Sequence, residues 1–319
     1  MRLRLVAAAA PALALIAVLT ASPAGAQYPG IVSGIAYTTW SDDASHTVIR
    51  FTSCVDPKGC EVGMESTVDL GDRDAMQPAV SASGQLFFTA EVAAGGQLAI
   101  YRARGDGATR VVGGRRDASE PAVSPDGRRV AFQRVMRNGR TQVFVRDLDS
   151  GDLTKVSGGL VTAGGPAWSP DGSQLAFSGK LLIGAMPSCW ECHVQIWTAP
   201  ADGSGSPVNL TVQDFGALRN PDWDPGATTI AADMRFPHGY EGIALIDPGT
   251  VEATFPAILT QERPADPSWS PAVEGSHRLA ATFDADGDMP LVVISDLAGT
   301  DQHPIGPGWD PVLVPGSTG

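Results

Sequence analysis

PAWSPDGSQLAFSGK, residues 166–180, places a proline and a tryptophan before Ser-Pro-Asp-Gly and then runs into Leu175-Ala176-Phe177. Ser-Pro-Asp-Gly is turn chemistry, because proline presets its own φ and glycine takes a positive φ at little steric cost. The stretch therefore predicts a strand, a tight turn and a second strand. Four more stretches share the pattern: PAVSASGQLFFTA (78–90), PAVSPDGRRVAFQRV (121–135), PDWDPGATTIAADMR (221–235) and PSWSPAVEGSHRLAATF (267–283). Their leading prolines fall at 78, 121, 166, 221 and 267, so the gaps are 43, 45, 55 and 46 residues.

A third strand follows each copy, as in TQVFVRD (141–147), VQIWTAP (194–200), EGIALID (241–247) and PLVVISD (290–296). A turn and a short fourth strand come next, such as LTKVS (153–157) or PVNLT (207–211). Four antiparallel strands every ~45 residues describe one blade of an all-β propeller. Near the N-terminus, IVSGIAYTTW (31–40), TVIRFTSC (47–54) and STVDLG (66–71) read as strands two to four of a blade without its first. Pro307-Gly308-Trp309-Asp310-Pro311 repeats the first-strand motif, so the C-terminal strand is expected to complete that blade and close a ring of six. The expected blades are 31–71 plus 307–314, 74–114, 117–159, 163–212, 216–260 and 263–306, within one domain spanning 27–319.

The Pro-x-Trp-Ser-Pro-Asp-Gly repeats resemble the TolB-type propeller. That resemblance implies an exported six-bladed ring that docks a protein or peptide partner on its loop-bearing face. The α/β domain that precedes the propeller in TolB has no counterpart in the expected blade map. Related propellers sit on prolyl-oligopeptidase-like hydrolases, but the chain has no Gly-x-Ser-x-Gly nucleophile elbow, and a non-catalytic scaffold is expected.

MRLRLVAAAAPALALIAVLTASPAGAQ (1–27) reads as a secretory leader: two arginines, an apolar run, and Ala24-Gly25-Ala26 as a cleavage signal. Residues 1–26 are its expected extent, and the destination is periplasmic or extracellular. The net charge of −13 disfavours nucleic acid and anionic membrane as partners. No later segment has the ~18 continuous apolar residues of a membrane span, and a monomer is expected.

Export would place all four cysteines in an oxidising compartment. On the blade map Cys54 and Cys60 lie on one face of the first blade, and Cys189 and Cys192 on the other face of the fourth. Pairing Cys54 with Cys60 and Cys189 with Cys192 is therefore expected, each staple contributing roughly 2 kcal/mol because its loop is short. Cys189-Trp190-Glu191-Cys192-His193 also has the spacing that attaches haem c, with His238 or Met186 available as second axial ligand. A haem c-bearing redox protein is the alternative reading. The same loop is enlarged, taking 20 residues from Phe177 to Trp197 where the preceding blade takes 12 from Phe132 to Phe144. It carries Leu181, Leu182, Ile183, Met186 and Trp190, an apolar set that marks a partner-binding surface.

Two further sets remain. Asp284, Asp286 and Asp288 have a spacing that could hold Ca²⁺, although Ser295 stands where an EF-hand-like loop needs glutamate. Gln77, Glu120, Gly165, Asn220 and Asp266 each precede a repeat proline. They belong to the loops entering the innermost strands and are expected to rim the central channel, as a polar mouth suited to a peptide, a cation or a polar ligand.

Overall fold

A computed structural model describes residues 32–56, 59–104, 107–181, 194–211, 216–235, 241–250, 252–254, 264–269, 278–283, 290–297 and 302–315. The first blade begins with β1 (Val32–Trp40), β2 (Thr47–Asp56) and β3 (Gly59–Val68). The second contains β4 (Ala75–Val80), β5 (Leu86–Glu91), β6 (Leu98–Arg104) and β7 (Gly107–Val112). The third contains β8 (Ala118–Val123), β9 (Arg129–Val135), β10 (Thr141–Asp147) and β11 (Leu153–Lys155). The fourth contains β12 (Thr162–Trp168), β13 (Gln174–Lys180), β14 (Gln195–Pro200) and β15 (Val208–Asn209). The fifth contains β16 (Ala217–Trp223), β17 (Ile230–Arg235), β18 (Glu241–Asp247) and β19 (Glu252–Thr254). The sixth contains β20 (Pro264–Trp269), β21 (Arg278–Phe283), β22 (Leu291–Asp296) and β23 (Gln302–Pro307).

The last strand, β24 (Trp309–Pro315), pairs antiparallel with β1, putting Leu313 opposite Ile35 and giving the sheet order β24-β1-β2-β3. Each of the six sheets is four-stranded and antiparallel, and the C-terminal strand completes the first blade. This is the ring that the repeat implies.

The core is divided among the junctions between blades. Val143 and Val145 of the third blade pack with Leu175 and Phe177 of the fourth, while Val130 and Phe132 face Phe87 and Ile100 of the second. Both faces of each sheet are thus covered, which is why its middle strands read as continuous apolar runs instead of alternating with polar residues. The large residue two positions after each repeat proline is a wedge into the preceding blade. Trp168 joins the third-blade cluster, Trp223 the fourth, Trp269 the fifth and Leu313 the sixth. Arg129 stacks on Trp168 at 4.6 Å and the indole donates to Ala122 O at 3.0 Å.

The turns show what Ser-Pro-Asp-Gly does. Ser124 Oγ donates to Asp126 and accepts from Arg129 N at 2.9 Å, and Gly127 N closes the turn on Ser124 O at 2.8 Å with φ at 70°. Ser169 to Gly172 repeats this in the fourth blade, with φ of Gly172 at 68°.

One expectation changes. Cys54 and Cys60 were expected to flank a loop between strands, yet β2 runs to Asp56 and β3 starts at Gly59. The antiparallel register continues almost to the tip, with Val62 opposite Cys54 and Gly59 opposite Asp56, so both cysteines sit on the arms of one long hairpin. Their side chains, like the leader expected at 1–26, fall outside the described residues.

Candidate functional site

A proline inside a strand lacks the N–H that a ladder requires, so it is confined to an edge or a bulge. Here both conditions hold. The innermost strands β4, β8, β12, β16, β20 and β24 each have one ladder partner, and each breaks register at the proline. In the second blade Met76 pairs with Thr89 and Ala79 with Phe87, leaving Gln77 and Pro78 opposite the single residue Phe88.

The residue before each proline absorbs this bulge in the left-handed region: Gln77 (φ 53°), Glu120 (53°), Gly165 (58°), Asn220 (47°), Asp266 (50°) and Asp310 (51°). Five of them carry side chains in a conformation that costs roughly 1–2 kcal/mol each. Hydrogen bonds from the preceding blade hold them there. Gln77 N donates to Thr38 Oγ1 at 2.9 Å, Glu120 N to Gln77 Oε1 at 3.1 Å and Gly165 N to Glu120 Oε2 at 2.6 Å. Asn220 N donates to Ser178 Oγ at 3.1 Å and Asp266 N to Asp233 Oδ1 at 2.7 Å, while Asp310 N bonds the Asp266 carboxylate.

These six residues and the prolines after them line one cavity of about 570 Å³. Because every blade contributes its innermost strand, the cavity is the axial channel. Its wall continues through Trp168, Trp223 and Trp269 to Pro125, Pro170 and Pro225 of the turns at the opposite opening. Gln77, Glu120, Asn220 and Asp266 therefore lie within the innermost strands, not in the loops ahead of them, and Asp310 and Gly165 complete their ring.

The ring is rich in carboxylates. Asn220 Nδ2 bridges Asp233 Oδ2 at 2.7 Å and Asp266 Oδ1 at 2.8 Å. Burial, then the Asp266 charge, raises Asp233 well above the ordinary carboxylate range. Burial also raises Asp266 and, together with the charges of Asp266 and Glu120, Asp310. Glu120 is raised by burial against the opposing bond from Gly165 N. Lower in the wall, burial pushes Asp222 up to about 7 although its carboxylate accepts from Trp269 N at 2.8 Å. The channel can accept hydrogen bonds and attract positive charge. Among the described residues its lining includes no histidine, cysteine or lysine, and Ser268 accepts from Leu313 N at 3.3 Å.

Sequence reasoning missed Thr38, Asp222 and Asp233. Asp233 left a signal, because it is the one acid within Ile230–Met234 of β17, where the aligned second strands carry Thr38, Thr89, Gln133, Ser178 and Thr282. Of the expected partner-binding loop, Leu181 is exposed at the end of β13, while Leu182, Ile183, Met186 and Trp190 lie outside the described residues. Cys189, Cys192, His193 and His238 of the haem alternative and Asp284, Asp286 and Asp288 of the calcium alternative lie outside them as well. Among the described residues, no cluster of three or more His, Cys, Asp or Glu is arranged to hold a metal ion, and no helix is long and apolar enough to cross a membrane.

No family model matches the sequence, and no curated protein sequence matches it. Solved structures do share its fold. A TolB from Acinetobacter baumannii superposes with a TM-score of 0.71 at 18% identity over 91% of this chain and 68% of that one. A chain of a nidogen/laminin complex gives 0.65 at 13% identity over 88% of this chain and 98% of that one. An oligogalacturonate lyase in complex with manganese gives 0.55 at 12% identity over 88% and 76%. The architecture is that of the TolB-type propeller, and the same fold serves binding proteins and enzymes.

Proposed function

We propose that this chain, a propeller of the TolB type, is an exported, non-catalytic scaffold that holds an extended segment of a protein partner at the mouth of its axial channel. One observation carries the reading: the ring is built before any ligand arrives. Each left-handed ring amide is fixed by a side chain of the blade before it, so binding a segment there orders little of the protein, and such preorganisation favours affinity. The channel-lining carboxyl groups of Glu120, Asp266 and Asp310 suit the N–H groups and basic side chains of a peptide, and the proline and tryptophan walls suit its apolar ones. The TolB and nidogen/laminin likenesses support a protein partner, the absence of any nucleophile–base pair among the described residues of the channel lining supports a scaffold, and the leader-like sequence at 1–26 supports export.

Peptide display against the intact chain tests this. Selected peptides should lose at least tenfold in affinity both in Gln77→Ala, which releases the Glu120 N–H that its Oε1 holds, and in Asp266→Asn/Asp310→Asn, which removes two carboxyl groups of the ring. Binding untouched by both changes, or no selection above that on an unrelated propeller, overturns the reading.

A further inference from the structure

The chain is acidic, but its charge is unevenly placed. Twelve of its 22 lysines and arginines fall between Arg102 and Lys155, against seven acids in the same span. Four of the twelve converge on a second cavity of about 530 Å³, lined by Arg116, Arg137, Arg140 and Lys155 with no carboxylate among the described residues. Among the described residues, none of the four forms an ion pair.

The cavity is built, not a chance grouping of surface side chains. Arg137 and Arg140 sit on the β9–β10 turn, closed by Gly139 N on Met136 O at 3.0 Å and Met136 N on Arg140 O at 2.7 Å. Gln142, buried on its floor, ties that turn to the next blade by donating from Nε2 to Leu160 O at 3.1 Å and accepting from Ser157 Oγ at 2.8 Å. Behind it Arg134 stacks on Phe132 and Phe144 at 5.2 and 5.5 Å. Its guanidinium is lowered by burial and by the charges of Arg116 and Arg146, a sign of the positive potential in this corner.

We propose that this cavity, between the third and fourth blades, binds a compact, multiply charged phosphate-bearing small molecule. Guanidinium forks match the geometry of phosphate oxygens. Four cations exceed what a single carboxylate neutralises, and the volume is within the usual ~300–1,000 Å³ range of small-molecule sites. A long polyanion is disfavoured because it would extend beyond the ~8 Å screening length of the cluster onto an acidic surface, while a compact one senses only the cluster.

Calorimetric titration of the full chain with inorganic pyrophosphate and with a sugar bisphosphate, at low ionic strength, tests the site. One-to-one binding of either is expected, weakened at least tenfold in Arg137→Gln/Arg140→Gln and unchanged in Arg128→Gln, an exposed arginine near Asp149 at 3.8 Å and outside the cavity. Inorganic pyrophosphate binding alone identifies a phosphate subsite, and tighter sugar bisphosphate binding extends it to the ester. No binding of either probe overturns the proposal, as does binding unchanged in the double variant. Stronger capture of phosphatidylglycerol vesicles or single-stranded DNA through the same arginines also overturns it, in favour of a surface or polymer site. Both substituted arginines are exposed, and circular dichroism with thermal unfolding confirms that the variants tested are folded.

Discussion

The Asp266 amide donates to the Asp233 carboxylate at 2.7 Å, while Asn220 Nδ2 reaches both carboxylates from the side. One amide group thus spans two acids that repel each other, and the pair remains compatible with the fold most readily when one of them is protonated.

Stability should accordingly fall as pH rises. A carboxyl raised in the folded state binds its proton there more firmly than in the unfolded chain, so its contribution is complete below the ordinary range of about 4. That contribution is lost as pH climbs through the folded value, which is about 7 for Asp222 and higher than usual for Asp233, Asp266 and Asp310. The turn aspartates act oppositely. Bonds from Ser169 lower Asp171, and bonds from Ser45 lower Asp43 to about 2, so both groups lose their contribution as pH falls below the ordinary carboxylate range. The melting temperature should peak near pH ~5 and decline toward pH ~9, with a shallower decline in Asp310→Asn. Calorimetric scans across this range decide it, and an equal slope in the variant would remove the ring as the source.

The wedge position gives a graded prediction. Replacing Trp168 by alanine removes its packing, its bond to Ala122 O and its stack with Arg129, and should cost about 3–5 kcal/mol. Valine, which stands at the corresponding Val80 and Val123, should cost less, roughly 1–3 kcal/mol. Urea unfolding orders the two, and equal losses would show that side-chain volume between the blades is unimportant.

Ala227 occupies the turn position held by Gly84, Gly127 and Gly172 in other blades, and does so at φ 57°. Ala227→Gly should stabilise the protein by about 0.5–1 kcal/mol, since relief of left-handed strain exceeds the added freedom of the unfolded chain. A lower urea midpoint in this variant would contradict the turn geometry.

Leu313 is buried in the junction of the first and sixth blades. Leu313→Ala should destabilise by about 2–5 kcal/mol, and removal of 309–319 should abolish cooperative unfolding, because it takes away the inner strand of a blade. Chemical denaturation followed by tryptophan fluorescence and circular dichroism tests both, with coincident transitions in the truncated chain as the contrary result.

The repeat made the ring legible because each motif residue performs a local task that recurs: proline at the bulge, the large residue as wedge, Ser-Pro-Asp-Gly as turn. Closure was legible although the copy is four residues out of register: Pro311, not Pro307, stands at the bulge, and Leu313, not Trp309, is the wedge. The channel was readable only in part. Gln77, Glu120, Asn220 and Asp266 are flagged by the proline beside them, whereas Asp233 and Thr38 reach the ring from second strands, where strand registry across blades decides which side chain arrives. The basic cavity is less legible still, because Arg116 precedes β8, Arg140 lies in the β9–β10 turn and Lys155 on β11, three segments that only the folding of the third blade brings together.

The pairing of Ile35 with Leu313 has a temporal meaning as well. Partners so far apart in sequence meet only after all five blades between them have emerged, and distant pairings form slowly because the intervening chain must first be ordered. Until β24 has been synthesised the first sheet keeps an open inner edge, a template on which another chain could pair. The last strand is therefore also the step that ends the nascent protein's exposure to aggregation, and chaperone demand should be concentrated in the interval before it arrives.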